Sequence, residues 1–122
     1  MARVVALVPD LLFGSRVQGD LRAAGHEVTL AGSDDALRTA LPGADALIVD
    51  LTLDAAQRIE IVRATRPAAL PVLAFYSHVE ADVRDLGREA GFELVVPRSR
   101  MAREGPGLVA RLLEAQPRRE IK

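Results

Sequence analysis

The chain has 122 residues, 49% of them apolar and 27% charged, with a formal net charge of −1. That length supports one domain around one core, and near-neutral charge gives no electrostatic bias toward nucleic acid or an anionic membrane. The absence of cysteine excludes disulfides, thiolate nucleophiles and thiolate metal sites.

Aromatic residues are limited to Phe13, Phe75, Phe92 and Tyr76, so the core must come from Leu, Val, Ile and Ala. The first candidate strand, 3–8, runs into Pro9 and Asp10 and starts too early to leave room for a signal peptide. No apolar run approaches the ~20 residues needed to span a bilayer, and a cytoplasmic location is the expectation. After a loop over 9–14, Val17, Leu21 and Ala24 fall at helical spacing in 15–24, and Gly25 is a good stop. Ser15 and Arg16 stand at the expected start of that helix, as an anion-binding terminus or simply as an N-cap with a surface arginine. The segment 26–31 alternates like an edge strand, with His26 expected at the surface of the far edge. Ser33 is an N-cap candidate for a short helix through Leu41, with Asp34 and Asp35 favoured in its first turn by the helix dipole.

The segment 44–50, Ala-Asp-Ala-Leu-Ile-Val-Asp, is the most informative. Bounded by Pro42-Gly43 and an acid, its apolar run reads as a strand buried on both faces, and it ends on the carboxylate of Asp50. A helix follows over 54–66, with Ala55, Ile59 and Val62 as its apolar stripe and Pro67 as its stop. A fourth strand, 70–75, is opened by Pro71, where a missing N–H is tolerable. The helix 80–90 carries Glu80 and Asp82 near its start, and a fifth strand covers 92–96. Residues 97–107 read as irregular, 108–115 as a last short helix with Val109, Leu112 and Leu113 inward, and 116–122 as a frayed tail beyond a single domain over 1–115.

Strands alternating with single helices predict an α/β fold: a flavodoxin-like, doubly wound, five-stranded parallel sheet in the order 2-1-3-4-5, with helices on both faces. That order places the ends of the first and third strands side by side at the switch point, where ligands and chemistry gather. Asp10 and Asp50 become neighbours there.

With those residues in place, the chain resembles the receiver domain of bacterial two-component response regulators over about 3–115. The third-strand run 45–51 and the segments 70–74 and 89–93 carry the likeness. The resemblance implies that Asp50 is the phosphoacceptor and that Asp10 is the second of two Mg²⁺-binding acids, Pro9 standing where the first belongs. The hydroxyl position after the fourth strand falls on Tyr76, with Ser77 one residue away, and Arg98 stands in the place of a lysine. Pro97 precedes Arg98 and Ser99 follows it, where the family usually has a proline after the lysine.

Aspartyl phosphorylation needs a carboxylate nucleophile, a divalent cation and donors for the equatorial oxygens. Asp10 and Asp50 supply two acids for Mg²⁺, so weakened binding is the expectation. Arg98 keeps a positive charge in a planar, forked shape that does not replace a compact ammonium. Tyr76 carries its hydroxyl far from the backbone, whereas Ser77 offers a short one. A salt bridge tying strand ends together is the bland alternative for Asp10, Asp50 and Arg98. His78 reads as a loop histidine before a metal ligand.

Arg98, Arg100 and Arg103 border the surface that the resemblance assigns to partners, or form a solvated face balanced by Glu104. The leading expectation is a stand-alone receiver-like signalling module acting through protein contacts with a histidine kinase or a downstream regulator. It is either switched by compromised phosphorylation of Asp50 or locked as a pseudo-receiver, and its enzymology is at most self-catalysed aspartyl phosphorylation and dephosphorylation. The alternative is a small-molecule or nucleotide-binding protein on a flavodoxin-like or Rossmann-like scaffold, although 9–15 lacks the closely spaced glycines of a phosphate loop. A homodimer is a third reading.

Overall fold

In the computed structural model, which describes residues 1–77 and 81–114, five strands alternate with five helices. They are β1 (Arg3–Leu7), α1 (Leu11–Ala23), β2 (Glu27–Ala31), α2 (Asp34–Ala40), β3 (Ala46–Asp50), α3 (Ala55–Thr65), β4 (Val72–Tyr76), α4 (Ala81–Glu89), β5 (Leu94–Pro97) and α5 (Arg98–Glu114). The sheet order is β2-β1-β3-β4-β5 and every pairing is parallel, as the alternating pattern predicts. Val4 pairs with Ala46 and Leu7 with Val49 across β1 and β3, while Asp50 pairs with Phe75 across β3 and β4. The predicted tail at 116–122, His78 and Glu80 lie outside the described residues.

The period of two along each strand divides the core into halves. Ala46, Ile48, Leu73 and Phe75 pack with Phe13, Val17 and Leu21 of α1 and with Met101, Leu108 and Leu112 of α5. Leu47, Val49, Ala74 and Tyr76 pack on the other face with Leu37 of α2, Ile59 and Val62 of α3 and Val83 of α4. All residues of β3 and β4 are buried, which explains why these central strands read as near-continuous apolar runs rather than alternating ones.

Two helix boundaries correct the sequence reading. Helix α1 starts at Leu11, four residues before Ser15, because Asp10 caps it with its own carboxylate. Leu11 and Leu12 are 80% and 87% exposed, so they add nothing to the apolar stripe by which a helix is recognised. Ser15 and Arg16 are therefore inside the helix and not at an anion-binding terminus. Residues 98–107 are helical rather than irregular. The helical backbone of α5 is interrupted only at Glu104 (φ −124°, ψ 16°), so Pro106 falls in the first turn of a second helical segment, where a missing N–H costs little.

The expected cap of α2 is present: Ser33 Oγ accepts from the Ala36 amide at 3.1 Å. His26, at the edge end of β2, is half-buried and accepts a hydrogen bond from the Ala2 amide through Nδ1 at 3.2 Å. No helix among the described residues is long and apolar enough to cross a membrane.

Candidate functional site

Strands β1 and β3 end side by side, and each hands an acid to the same edge of the sheet. Asp50, the last residue of β3, is only 3% exposed. Its Oδ1 accepts from the Thr52 amide at 2.8 Å and from Thr52 Oγ1 at 2.6 Å. This local turn, in which an Asp side chain bonds two residues onward, satisfies one carboxylate oxygen with donors from its own loop. Arg58, on α3, donates from Nη1 to the Asp50 carbonyl at 3.0 Å, fixing the loop from beneath. Asp54 follows in the left-handed region (φ 53°, ψ 43°) and makes no side-chain cap bond to α3, a conformation that Asp tolerates better than most residues.

Asp10 is held differently. Its Oδ1 accepts from the Leu12 and Phe13 amides at 3.0 and 3.1 Å, and its Oδ2 accepts from Arg98 Nη2 at 3.2 Å. The Phe13 amide, aided by the Arg98 side chain, holds the Asp10 carboxyl below the usual carboxylate range. The Arg98 guanidinium also lies 4.2 Å from the centre of the Phe13 ring, a cation–π contact. Phe13 in turn meets Phe75 edge-on at 5.1 Å. Core packing, aromatic stack and ion pair thus form one column from Phe75 up to Asp10.

A cavity of about 570 Å³ opens at this edge, lined among others by Asp10, Asp50, Thr52, Asp54, Arg58 and Arg98. The structure brings Asp10, Asp50 and Arg98 to it, as the strand order requires. Arg98, however, makes its ion pair with Asp10 and not with Asp50.

The two hydroxyl candidates part company. Tyr76, 5% exposed, packs in the core half built with α2, α3 and α4. Ser77 lines a second opening together with Arg98 and Thr52. Arg100 and Arg103 lie on α5, both paired with Glu104 at 3.2 and 3.5 Å, and Arg100 holds the Glu104 carboxyl below its ordinary range. Thr52 and Arg58 are site residues that the sequence reading missed. An Asp followed two residues later by Thr was the available signal for the first; nothing in the sequence marked the second.

No family model matches the chain, and no curated protein matches it by sequence. Solved structures do. A response regulator from Thermotoga maritima aligns with a TM-score of 0.83 at 16% identity, covering 94% of this chain and 99% of its own. A response regulator receiver protein from Burkholderia phymatum aligns at 0.79 and 23% identity, covering 97% and 100%. The non-phosphorylated receiver domain of HemR from Leptospira biflexa aligns at 0.80 and 18% identity, covering 99% and 100%. The fold is that of response-regulator receiver domains.

Proposed function

We propose that this chain is a receiver-like regulatory module that acts through protein contacts, and that its aspartyl phosphorylation is compromised. The observation that carries the reading is the pair of commitments at the sheet edge: Arg98 on Asp10, and Thr52 on Asp50. In phosphorylation, an Asp50 oxygen attacks the phosphorus of the donor while the donor's bond to its leaving group breaks. Thr52 engages only Oδ1, so the attack falls to Oδ2, and the charge gathering on the phosphoryl group needs a counter-charge, which Arg98 gives to Asp10 instead.

Mg²⁺ takes oxygen ligands in near-octahedral geometry. As the side chains stand, the donor set does not fit it. Both Asp10 oxygens are occupied by amides and by a guanidinium, so a cation has to displace Arg98 first. The partner of this reading is a protein, of the kinase or downstream-regulator kind, approaching the edge that carries Asp50 and α5.

Incubation with acetyl phosphate and Mg²⁺, followed by intact mass, tests the proposal. Little or no added phosphoryl mass is expected under conditions that fully modify an ordinary receiver. Stoichiometric modification that Asp50→Asn abolishes overturns the compromised reading.

A further inference from the structure

We propose that the outer edge of β2 pairs with β2 of a second copy of this chain, antiparallel about a two-fold axis at Thr29, joining the two sheets into one. β2 is one of the two edges of the sheet. Successive residues of a strand turn their N–H and C=O groups alternately to its two sides. The Glu27 N–H donates to the Ala2 carbonyl at 2.9 Å, and Arg3 is in register with Glu27 and Val5 with Thr29, so Glu27, Thr29 and Ala31 turn these groups to β1. Val28 and Leu30 turn theirs outward. The Val28 carbonyl is met by side chains of α1, Gln18 Nε2 at 3.1 Å and Arg22 Nη2 at 3.5 Å. The Val28 N–H and both backbone groups of Leu30 have no partner among the described residues. An edge that presents unpaired donors and acceptors in a row is a template for another strand. The opposite edge is poorer, because β5 has four residues and ends on Pro97, which carries no donor.

The pattern selects a second copy because it is self-complementary. In antiparallel register centred on Thr29, Val28 stands opposite the partner's Leu30 and Leu30 opposite the partner's Val28, each pair exchanging both of its hydrogen bonds. Half of these bonds use groups that are already free. The other half need Gln18 and Arg22 to withdraw from the Val28 carbonyl, so these side chains gate the edge. Charge permits the pairing: Glu27, the one ionisable residue of β2, stands opposite the partner's Ala31 and meets no like charge. Thr29, whose side chain is exposed, faces its own copy across the axis, in a non-hydrogen-bonded pair where side chains approach most closely. β2 contains neither lysine nor proline, residues that commonly blunt an edge. The pairing covers little area, which makes a weak, concentration-dependent dimer. Asp50 lies two strands inward, on β3, so the contact goes beyond the receiver-like reading and does not depend on phosphorylation.

The test is sedimentation equilibrium of the full chain from about 10 µM to about 1 mM, the range in which a weak contact shows itself. Average mass should climb from monomer toward dimer. Thr29→Lys and Thr29→Glu each place like charges across the axis, at an exposed position, and each alone should remain monomeric. An equimolar mixture of the two should regain the dimer, because opposite charges then meet, and that recovery also shows both variants to be folded. Gln18→Ala combined with Arg22→Ala frees the Val28 carbonyl and should tighten association several-fold. A monomer throughout the range overturns the proposal. So does a dimer that Thr29→Lys leaves intact, a mixture that stays monomeric, or a double variant that associates no better than wild type.

Discussion

Arg98 reaches across the sheet edge to Asp10, with Nη2 3.2 Å from Oδ2, and leaves the buried carboxylate of Asp50 to Thr52. The same Asp10 carboxylate caps α1, so one side chain ties the start of α1 to the start of α5. Because the folded state holds this carboxyl below its ordinary value, the unfolded chain takes up its proton first as pH falls. The contribution of Asp10 to stability is therefore fully present above about pH 4, the unfolded value, and is lost as pH falls through the lowered native value. Asp10→Asn keeps a capping side chain and loses the charge. Urea unfolding across pH 3–7 should show wild type ahead of this variant near neutrality, with the gap closing below about pH 4 and narrowing in high salt. A gap that is constant with pH means that the ion pair adds nothing.

If Arg98 holds the place of a cation, removing it should release Asp10 Oδ2. Arg98→Ala should bind Mg²⁺ several-fold more tightly than wild type in calorimetric titrations, since the remaining oxygens suit a hard cation. Equal affinity in the two proteins dismisses Arg98 as the obstacle.

The fold was legible because the central strands are unusually plain. Residues 46–49 and 72–75 are apolar on both faces, as only a strand covered by helices on both sides can be, and parallel pairing followed from the helices between them. The site was legible only as far as topology reaches. Strand order brings Asp10 and Asp50 together, but which partner each carboxylate selects depends on side-chain reach. The missed start of α1 has a local cause: Leu11 and Leu12 point to solvent, so the apolar pattern begins later than the helix does. Residues 98–107 misled because Gly105, Pro106 and Gly107 look like breakers, whereas the kink at Glu104 absorbs them.

Thr52 is the residue that most directly restrains Asp50. Replacing it with Val removes the 2.6 Å hydroxyl bond and keeps the backbone amide bond at 2.8 Å. A buried acceptor losing one of its donors should cost ~1–2 kcal/mol, measurable as a lower urea midpoint with an unchanged slope. A neutral result assigns the hydroxyl to water as readily as to Asp50.

Tyr76 stands at the position where the receiver resemblance expects a small hydroxyl, so Tyr76→Thr is the substitution that would nominally repair the site. The structure predicts a different outcome. Val72, Ala74 and Tyr76 share the sheet face covered by α2, α3 and α4, whereas Phe75, paired with Asp50 in register, packs on the α1 and α5 face. The ring of Tyr76 fills core volume beside Leu51 and Val83 and lines neither cavity at the site. Truncating it leaves a hole that close-packed neighbours close only in part. Tyr76→Thr should therefore cost ~2–4 kcal/mol in urea unfolding without raising phosphoryl incorporation from acetyl phosphate. Tyr76→Phe, which keeps the volume, should stay within ~1.5 kcal/mol of wild type. Faster phosphorylation in the threonine variant at unchanged stability would place the ring in the Asp50 pocket and not in the core.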